Sequence, residues 1–235
     1  MGKWKKWLSA GLFTAMLGTA IIAGPTADVS ANAGNKPYNI ENVSPDAHLA
    51  PSVGDSSSKT SSKAWHKIDG VCYNGSGKKV EGAITRGMDV SEWQGKINWK
   101  EAKKDLDFAF VRISYGTRHL DDYYAYNMTE AEAADVPVGT YVYSLAKTNK
   151  EALAEAQLAI RQMQGHKVSY PVAFDLEDEA TLGTLTRKEI SQIALTFCDE
   201  IRKAGYTPIL YMNLNWYNNF VDWNVLEGSG LDVWI

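Results

Sequence analysis

Short apolar runs alternate with segments of helical periodicity from residue 83 to the end of the chain. The apolar runs are rich in β-branched and aromatic residues, which is typical of buried strands. The predicted strands span residues 85–90, 108–114, 138–144, 172–177, 208–212 and 232–235. Continuously apolar strands that alternate with helices indicate an α/β fold with a parallel sheet.

Two of the intervening helices begin with a recognisable start signal. Thr148 and Glu151 have capping-box spacing, and so do Thr186 and Glu189, so each pair can satisfy backbone amides of a first helical turn. The second helix should end at Gly205, which readily adopts the left-handed conformation of a helix cap. Six strand repeats without a glycine-rich phosphate turn favour a TIM-like (β/α) barrel over a dinucleotide fold.

The first 82 residues follow a different pattern. Residues 1–33 have a basic start, an apolar stretch and a small-residue exit at Ala31-Asn32-Ala33, the layout of a cleaved signal peptide. The apolar stretch would reach only ~24 Å as a helix, short of the ~30 Å core of a bilayer. We therefore expect a secreted, cell-wall-associated product without stable membrane association after cleavage.

Between the signal and the first predicted strand we expect two further segments. Residues 34–63 are rich in Ser, Asn, Pro and Asp, a composition too polar to offset its ordering entropy, and they are predicted to be a flexible spacer. Residues 64–82 contain some apolar side chains and are predicted to be a lead-in packed on the main domain. The domain itself is expected to span residues 83–235.

Composition narrows the function classes. The chain has 24 basic and 28 acidic side chains, and no cluster of Lys and Arg outside the N-terminus suggests the basic face that nucleic acid requires. Cys72 and Cys198 permit at most one disulfide, and whether they pair stays open. Eight Trp and twelve Tyr are compatible with surfaces that stack on sugars, although core packing explains most aromatic residues.

Asp175 and Glu177 are the sharpest candidate for chemistry. In a barrel the active site lies at the carboxyl ends of the strands. Residues i and i+2 of a strand share a face, so both carboxyl groups would project into the mouth with backbones ~6.6 Å apart. Their repulsion would raise one pKa and leave the other group ionised, as acid-assisted glycosidic cleavage requires. Alternatively, they begin an acidic loop, continued by Asp178 and Glu179, that caps the next helix.

Other strand ends add weaker candidates. Asp89 ends the first strand and could enter the same mouth, or it could simply cap a turn. Arg112 could pair with these acids, which a purely structural arginine would also do. Tyr143, Tyr211 and Trp234 could form stacking walls for a substrate, with core packing as the alternative.

Other chemistries have less support from the sequence. The four histidines are scattered and lack metal-ligand spacing, and no nucleophile elbow is present. The three acids Asp89, Asp175 and Glu177 could instead hold a divalent cation for phosphodiester hydrolysis. We predict no cofactor and no metal.

At these residues the chain resembles glycoside hydrolase family 25, the lysozymes (N-acetylmuramidases) that cut bacterial peptidoglycan. The similar segments occur in family order and are RGMDVSEWQG, FAFVRISYGT, VPVGTYVYSLA, PVAFDLE and TPILYMN. The resemblance implies a secreted glycosidase that cleaves the β-1,4 bond between N-acetylmuramic acid and N-acetylglucosamine, acting as a monomer on peptidoglycan.

The resemblance also implies residue roles. Glu177 matches the general acid, Asp175 the partner that steers the substrate's N-acetyl group or positions water, and Asp89 the acid of the first strand. Tyr143, Tyr211 and Trp234 lie in strand-end positions similar to those of the family's sugar-contacting aromatic residues. Arg112 is also predicted to bind substrate.

The resemblance breaks off at the last predicted strand. Family members continue into further strands, one with an acid in an Asp-x-Asn context, and residues 83–235 are fewer than the about 200 that the smallest eight-stranded barrels need. We therefore expect a C-terminally truncated barrel, an unpaired edge on the last strand and weak activity. A non-hydrolytic peptidoglycan-binding protein is the alternative.

Overall fold

The structure is a computed structural model that describes residues 6–7, 66–74 and 77–235. Apart from residues 6–7, the predicted signal peptide and spacer lie outside the described residues. The strands are β1 (Lys6–Trp7), β2 (His66–Ile68), β3 (Val71–Tyr73), β4 (Gly87–Val90), β5 (Phe108–Tyr115), β6 (His119–Leu120), β7 (Val138–Tyr143), β8 (Val168–Asp175), β9 (Pro208–Tyr211) and β10 (Asp232–Trp234). The helices are α1 (Trp99–Ala102), α2 (Tyr124–Ala133), α3 (Asn149–Met163), α4 (Glu179–Leu182), α5 (Arg187–Lys203), α6 (Leu214–Asn219) and α7 (Trp223–Leu226).

A parallel sheet forms the centre of the described part of the chain. Its order is β4-β5-β7-β8-β9-β10, so strands that follow one another in this part of the sequence are also neighbours in space. The short β6 pairs antiparallel with β5. The predicted α/β fold with a parallel sheet is confirmed. In the full chain the edge of β10 is paired, because β1 runs parallel beside it. β1 lies within the predicted signal peptide, so cleavage after Ala33 would remove this pairing.

The sheet is strongly curled. The rings of Phe110 on β5 and Trp234 on β10 lie 4.8 Å apart, centroid to centroid, although three strands separate them. In a flat sheet these two strands would be about 19 Å apart at ~4.8 Å per strand spacing. The described strands therefore form a half-barrel with a concave inner face.

Residues alternate between the two faces of this half-barrel. The helices cover the outer face, where Phe174 of β8 stacks on Phe197 of α5 at 4.0 Å between ring centroids. The inner face carries a separate aromatic cluster around Phe108, Phe110 and Trp234. The outer face is thus the main core, and the inner face is left for the site.

Most predicted element bounds hold within two residues, with two informative differences. Strand β8 begins at Val168, whereas the predicted strand begins at residue 172. The hydrophobic pattern does not indicate the first half of β8, because that half is half-polar and contains Pro171. Thr148 caps α3 by accepting from the Glu151 amide, but the Glu151 carboxylate accepts from Lys147, so the predicted capping box is only half formed. At α5 the full box of Thr186 and Glu189 is present.

The described part of the lead-in is a β2–β3 hairpin at the amino-terminal ends of the barrel strands. Its turn, Asp69-Gly70, has positive φ at both residues, as tight hairpins require. Lys67 Nζ forms an ion pair of 2.9 Å with Asp107 Oδ2, just before β5. Cys72 and Cys198 are both buried free thiols, so they do not pair.

Candidate active site

A row of in-register residues crosses the carboxyl end of the half-barrel. Tyr143 of β7 is the register partner of Asp175 on β8, which in turn is the partner of Tyr211 on β9, and Tyr211 is the partner of Trp234. Register partners on neighbouring parallel strands project to the same face. The sequence-predicted residues of four strands therefore meet on the inner face.

Asp175 is the most enclosed carboxyl group of this row. It is only 2% exposed, and its Oδ1 atom has no hydrogen-bond partner among the described residues. Burial raises the pKa of Asp175 well above its usual range, and the nearby Glu177 and Asp89 raise it further, while Arg112 opposes them. A buried acceptor without a partner is costly, so the site is suited to a polar group of a ligand.

Glu177 lies beyond the end of its strand. β8 ends at Asp175, and only the Leu176 amide continues the ladder, with 2.9 Å to the Tyr211 carbonyl oxygen. The prediction that Glu177 is a strand residue, with ideal spacing from Asp175, is therefore wrong. Glu177 is half-buried, and burial raises its pKa despite a 3.4 Å hydrogen bond donated by Asn213 Nδ2.

Asp89 completes the group of carboxyls. It belongs to β4, and burial raises its pKa to about 6. Its charge raises the pKa of both Asp175 and Glu177. The three predicted acids thus lie within electrostatic reach of one another, although Asp89 is far from the other two in the sequence.

Arg112 forms ion pairs with other carboxylates, not with the three acids considered in the sequence analysis. Its Nε donates to Asp121 Oδ2 at 2.8 Å, and its Nη2 lies 2.9 Å from Glu92 Oε1. Arg112 is 6% exposed, so both arms of its guanidinium serve a buried ion-pair cluster. Arg112 lowers the pKa of Asp175 only through its charge, without a hydrogen bond. Because so little of Arg112 is exposed, it offers little surface for the predicted contact with substrate.

The aromatic candidates differ in how open they are. Tyr143 stacks on Tyr115 with ring centroids 4.9 Å apart, and the Tyr115 hydroxyl donates to Asp178 Oδ2 at 3.2 Å. Trp234 is only 8% exposed, because the curl presses its ring against Phe110 and Tyr211. The core-packing alternative therefore describes Trp234 better than an open stacking wall.

Asp178 caps α4 as the alternative interpretation of the acidic loop predicts, because its Oδ1 atom accepts from the Thr181 amide at 2.8 Å. Two residues of the site were not predicted from the sequence, Tyr115 and Asn213. Both lie within two residues of a strand end, and this position is the only sequence signal that could have indicated them. Asn213 also caps α6 through its Oδ1 atom, which accepts from the Trp216 amide at 3.1 Å. A cap residue that also donates to a carboxyl group cannot be distinguished by sequence from an ordinary cap.

Behind the row, a buried carboxyl group holds the end of β7. Glu155 of α3 accepts from Ser144 Oγ at 2.8 Å and from the Leu145 amide at 3.0 Å. The Ser144 amide in turn donates to the Asp175 carbonyl oxygen at 3.0 Å. Burial raises the pKa of Glu155 to about 7.

The arrangement can supply a protonated carboxyl group near neutral pH beside a second one, which is the requirement for general acid catalysis. Within the described residues, no group of three or more His, Cys, Asp or Glu side chains is arranged to hold a metal ion. In the same part of the chain, no helix combines the length and apolarity needed to cross a membrane.

Comparison with known proteins shows which family the sequence matches. The sequence model of glycosyl hydrolases family 25 matches residues 88–235. The uncharacterized protein YegX of Escherichia coli K12 is 26% identical over 139 residues, which are 56% of this chain and 49% of YegX. Lysozyme M1 of Streptomyces globisporus is 38% identical over 60 residues, 25% of this chain and 20% of the lysozyme. The chain spans about half the length of YegX.

Solved structures share the fold. A family 25 glycosyl hydrolase from Bacillus anthracis superposes with a TM-score of 0.54 at 23% identity, covering 63% of this chain and 68% of that one. The CTP1L endolysin also reaches 0.54 at 21% identity, over 63% of this chain and 50% of its own. The autolysin LytC of Streptococcus pneumoniae, solved with a synthetic peptidoglycan ligand, reaches 0.50 at 21% identity, over 64% and 44%.

Proposed function

The chain belongs to glycosyl hydrolases family 25, a family of glycosidases, and from that membership we propose that it is a lysozyme acting on bacterial peptidoglycan. The bond cut is the β-1,4 linkage between N-acetylmuramic acid and N-acetylglucosamine. The observation that carries the proposal is the cluster of Asp89, Asp175 and Glu177, whose pKa values are all raised on the inner face. The half-barrel serves as part of a TIM-like (β/α) barrel framework.

Glu177 is the general acid in this proposal. It is half-buried at the mouth, and its raised pKa keeps a proton available near neutral pH, where an exposed glutamate would be ionised. Asn213 donates to its Oε2 atom and holds the carboxyl group in one orientation. Glu177 would protonate the glycosidic oxygen as the bond to the sugar breaks.

Asp175 orients the substrate's own N-acetyl group. Its buried Oδ1 atom lacks a partner among the described residues, and the amide of an N-acetyl group can supply the missing hydrogen bond. The acetyl oxygen would then attack the anomeric carbon, and water would open the resulting ring. This route retains the anomeric configuration, whereas direct attack by water inverts it.

Asp89 and the aromatic residues complete the site. The negative charge of Asp89 above a pH of about 6 would stabilise the positive charge that develops on the sugar ring. Tyr143, backed by Tyr115, offers a fixed ring at the mouth. Tyr211 would contact the substrate beside Asp175, with which it is in register.

The predicted signal peptide of residues 1–33 supports secretion and action at the cell wall. The proposal takes the secreted product to be a monomer. N-terminal sequencing of the product exported by a bacterial host tests the cleavage after Ala33. An exported product that still begins at Met1 would contradict it.

The hydrolytic proposal is tested by incubating purified peptidoglycan with the full chain. We expect new reducing ends on muramic acid, detected by borohydride reduction and mass spectrometry, and their loss in Glu177→Gln. Glu130→Gln is the matched control, because Glu130 is an exposed helical glutamate far along the chain from the site. NMR of the first-formed anomer should show retention.

Three outcomes would contradict the proposal. Binding of peptidoglycan without new reducing ends would indicate a non-hydrolytic binding protein. Loss of activity on chelation would contradict catalysis by carboxyl groups alone. An inverted first anomer would leave Glu177 as the acid but refute the proposed role of Asp175.

A further inference from the structure

We propose that Trp93 is a stacking platform for a sugar ring of the glycan strand beyond the two sugars at the scissile bond. This inference rests on the proposed function and extends it to a separate binding position. It starts from where the described chain leaves large apolar side chains exposed.

Exposed apolar side chains cluster at the mouth of the half-barrel. Four of the six that are described lie at or just beyond the carboxyl ends of the parallel strands β4, β5 and β9: Trp93, Tyr115, Leu120 (beside Ser114, on β6) and Leu214. The other two lie before β4, at the opposite end. Trp93 is the largest of the six, is 57% exposed and follows Asp89 by only four residues. An indole with more than half of its surface exposed at the mouth is suited to the apolar face of a pyranose.

The segment that carries Trp93 is fixed by its own cap. Trp93 lies in a 3-10 helix, Glu92–Gln94, whose capping residue is Ser91. The Ser91 amide donates to Gln94 Oε1 at 2.7 Å, and the Trp93 amide lies 3.3 Å from Ser91 Oγ. Both contacts hold the backbone on either side of the indole.

A buried ion-pair cluster fixes the same segment to β5. The Glu92 amide donates to Asp121 Oδ2 at 2.8 Å. The Glu92 carboxylate lies 2.9 Å from Arg112 Nη2 and 2.8 Å from His119 Nε2. This cluster explains why Arg112 is turned away from the acids, because it anchors the loop that presents Trp93. Because the backbone that carries the indole is already fixed, little backbone entropy is lost on binding, which favours a recognition role.

The occupant is a sugar of the same glycan strand because the platform continues the cleft. Asp89 lies on β4, and Trp93 follows the end of this strand by three residues. The neighbouring strand β5 ends at Tyr115, whose ring stacks on Tyr143. A polymeric substrate whose scissile bond lies at the carboxyl groups must run past one of these rims. Repeating pyranose rings offer the flat apolar faces that an indole binds.

The test compares strand lengths in the Glu177→Gln background, so that the strands stay intact. Binding of an octasaccharide and a disaccharide, both without peptide stems, is measured by calorimetry. We expect Trp93→Ala to weaken octasaccharide binding by about 5- to 10-fold, roughly 1 to 1.4 kcal/mol, and to raise the octasaccharide-to-disaccharide ratio of Kd values. Trp93→Phe should recover part of the loss. Ile84→Ala, an exposed apolar control 77% exposed at the opposite end, should change neither Kd.

An unchanged ratio of Kd values in Trp93→Ala, with the fold verified by circular dichroism, would overturn the platform. So would a loss that appears only when the strands carry peptide stems, because the platform would then bind peptide. Should Trp93→Ala not fold, an unchanged ratio in Trp93→Phe would overturn it equally. Release of reducing ends by the unaltered chain is measured in parallel. Its absence would refute the hydrolytic proposal while leaving the length-dependent binding result interpretable.

Discussion

Replacing Glu155 with glutamine should reverse the sign of its effect on stability as the pH rises. Glu155 is 2% exposed, and burial raises its pKa from 4.5 to about 7. Between these values the folded chain binds a proton that the unfolded chain has released. Stability therefore falls as the pH rises from 4.5 through about 7, and the full cost of the buried charge is present above that.

The magnitude follows from the two pKa values. At ~1.36 kcal/mol per pH unit, the interval from 4.5 to about 7 corresponds to about 3 kcal/mol. Glutamine has no charge to bury, but its amide can accept from only one of the two donors, Ser144 Oγ and the Leu145 amide. That loss costs about 1 kcal/mol at every pH. The variant should be less stable by about 1 kcal/mol at low pH and more stable by about 2 kcal/mol at pH 8.

Urea unfolding between pH 4.5 and 8 measures this difference directly. In a thermal melt the swing of about 3 kcal/mol corresponds to roughly 6–12 °C for a chain of this size. Glu130→Gln is the control, because it makes the same chemical change at an exposed glutamate. If the difference in unfolding free energy between Glu155→Gln and the unaltered chain does not change with pH, the reasoning is refuted. The charged carboxyl group would then not be destabilised by burial in the folded chain.

Three further substitutions test other parts of the fold by urea unfolding. Arg112→Met leaves its two carboxylate partners without a cation and should cost about 3–5 kcal/mol; a loss under about 1 kcal/mol would show that the ion pairs are dispensable. Gly139→Ala would bring a Cβ to 2.5 Å from the backbone oxygen of Pro171 and should cost about 1–3 kcal/mol or more, whereas unchanged stability would mean that β7 and β8 can separate freely. Thr186→Ala removes the cap partner of Glu189 and should cost about 1 kcal/mol, which Thr186→Ser should restore; no loss would mean that the cap hydrogen bonds add nothing to α5.

The sequence pattern predicted the strand ladder well because buried parallel strands are continuously apolar and each helix returns the chain to the next position. Asp89 and Asp175 could be assigned to the mouth for the same reason. The partners of Arg112 could not be predicted, since Asp121 approaches it only through the turn formed by β5 and β6. The burial of Trp234 depends on how far the sheet curls, which no local pattern encodes.

The alternation of the two sheet faces has a consequence for how such a chain can change over time. On β8, Phe174 packs among the helices while its neighbour Asp175 lies on the inner face. Adjacent residues are therefore under different constraints, since one is required for folding and the next for chemistry. Substitutions on the inner face can alter substrate preference while the helix-covered face keeps the protein folded, so new specificities can be sampled without first gaining a reserve of stability.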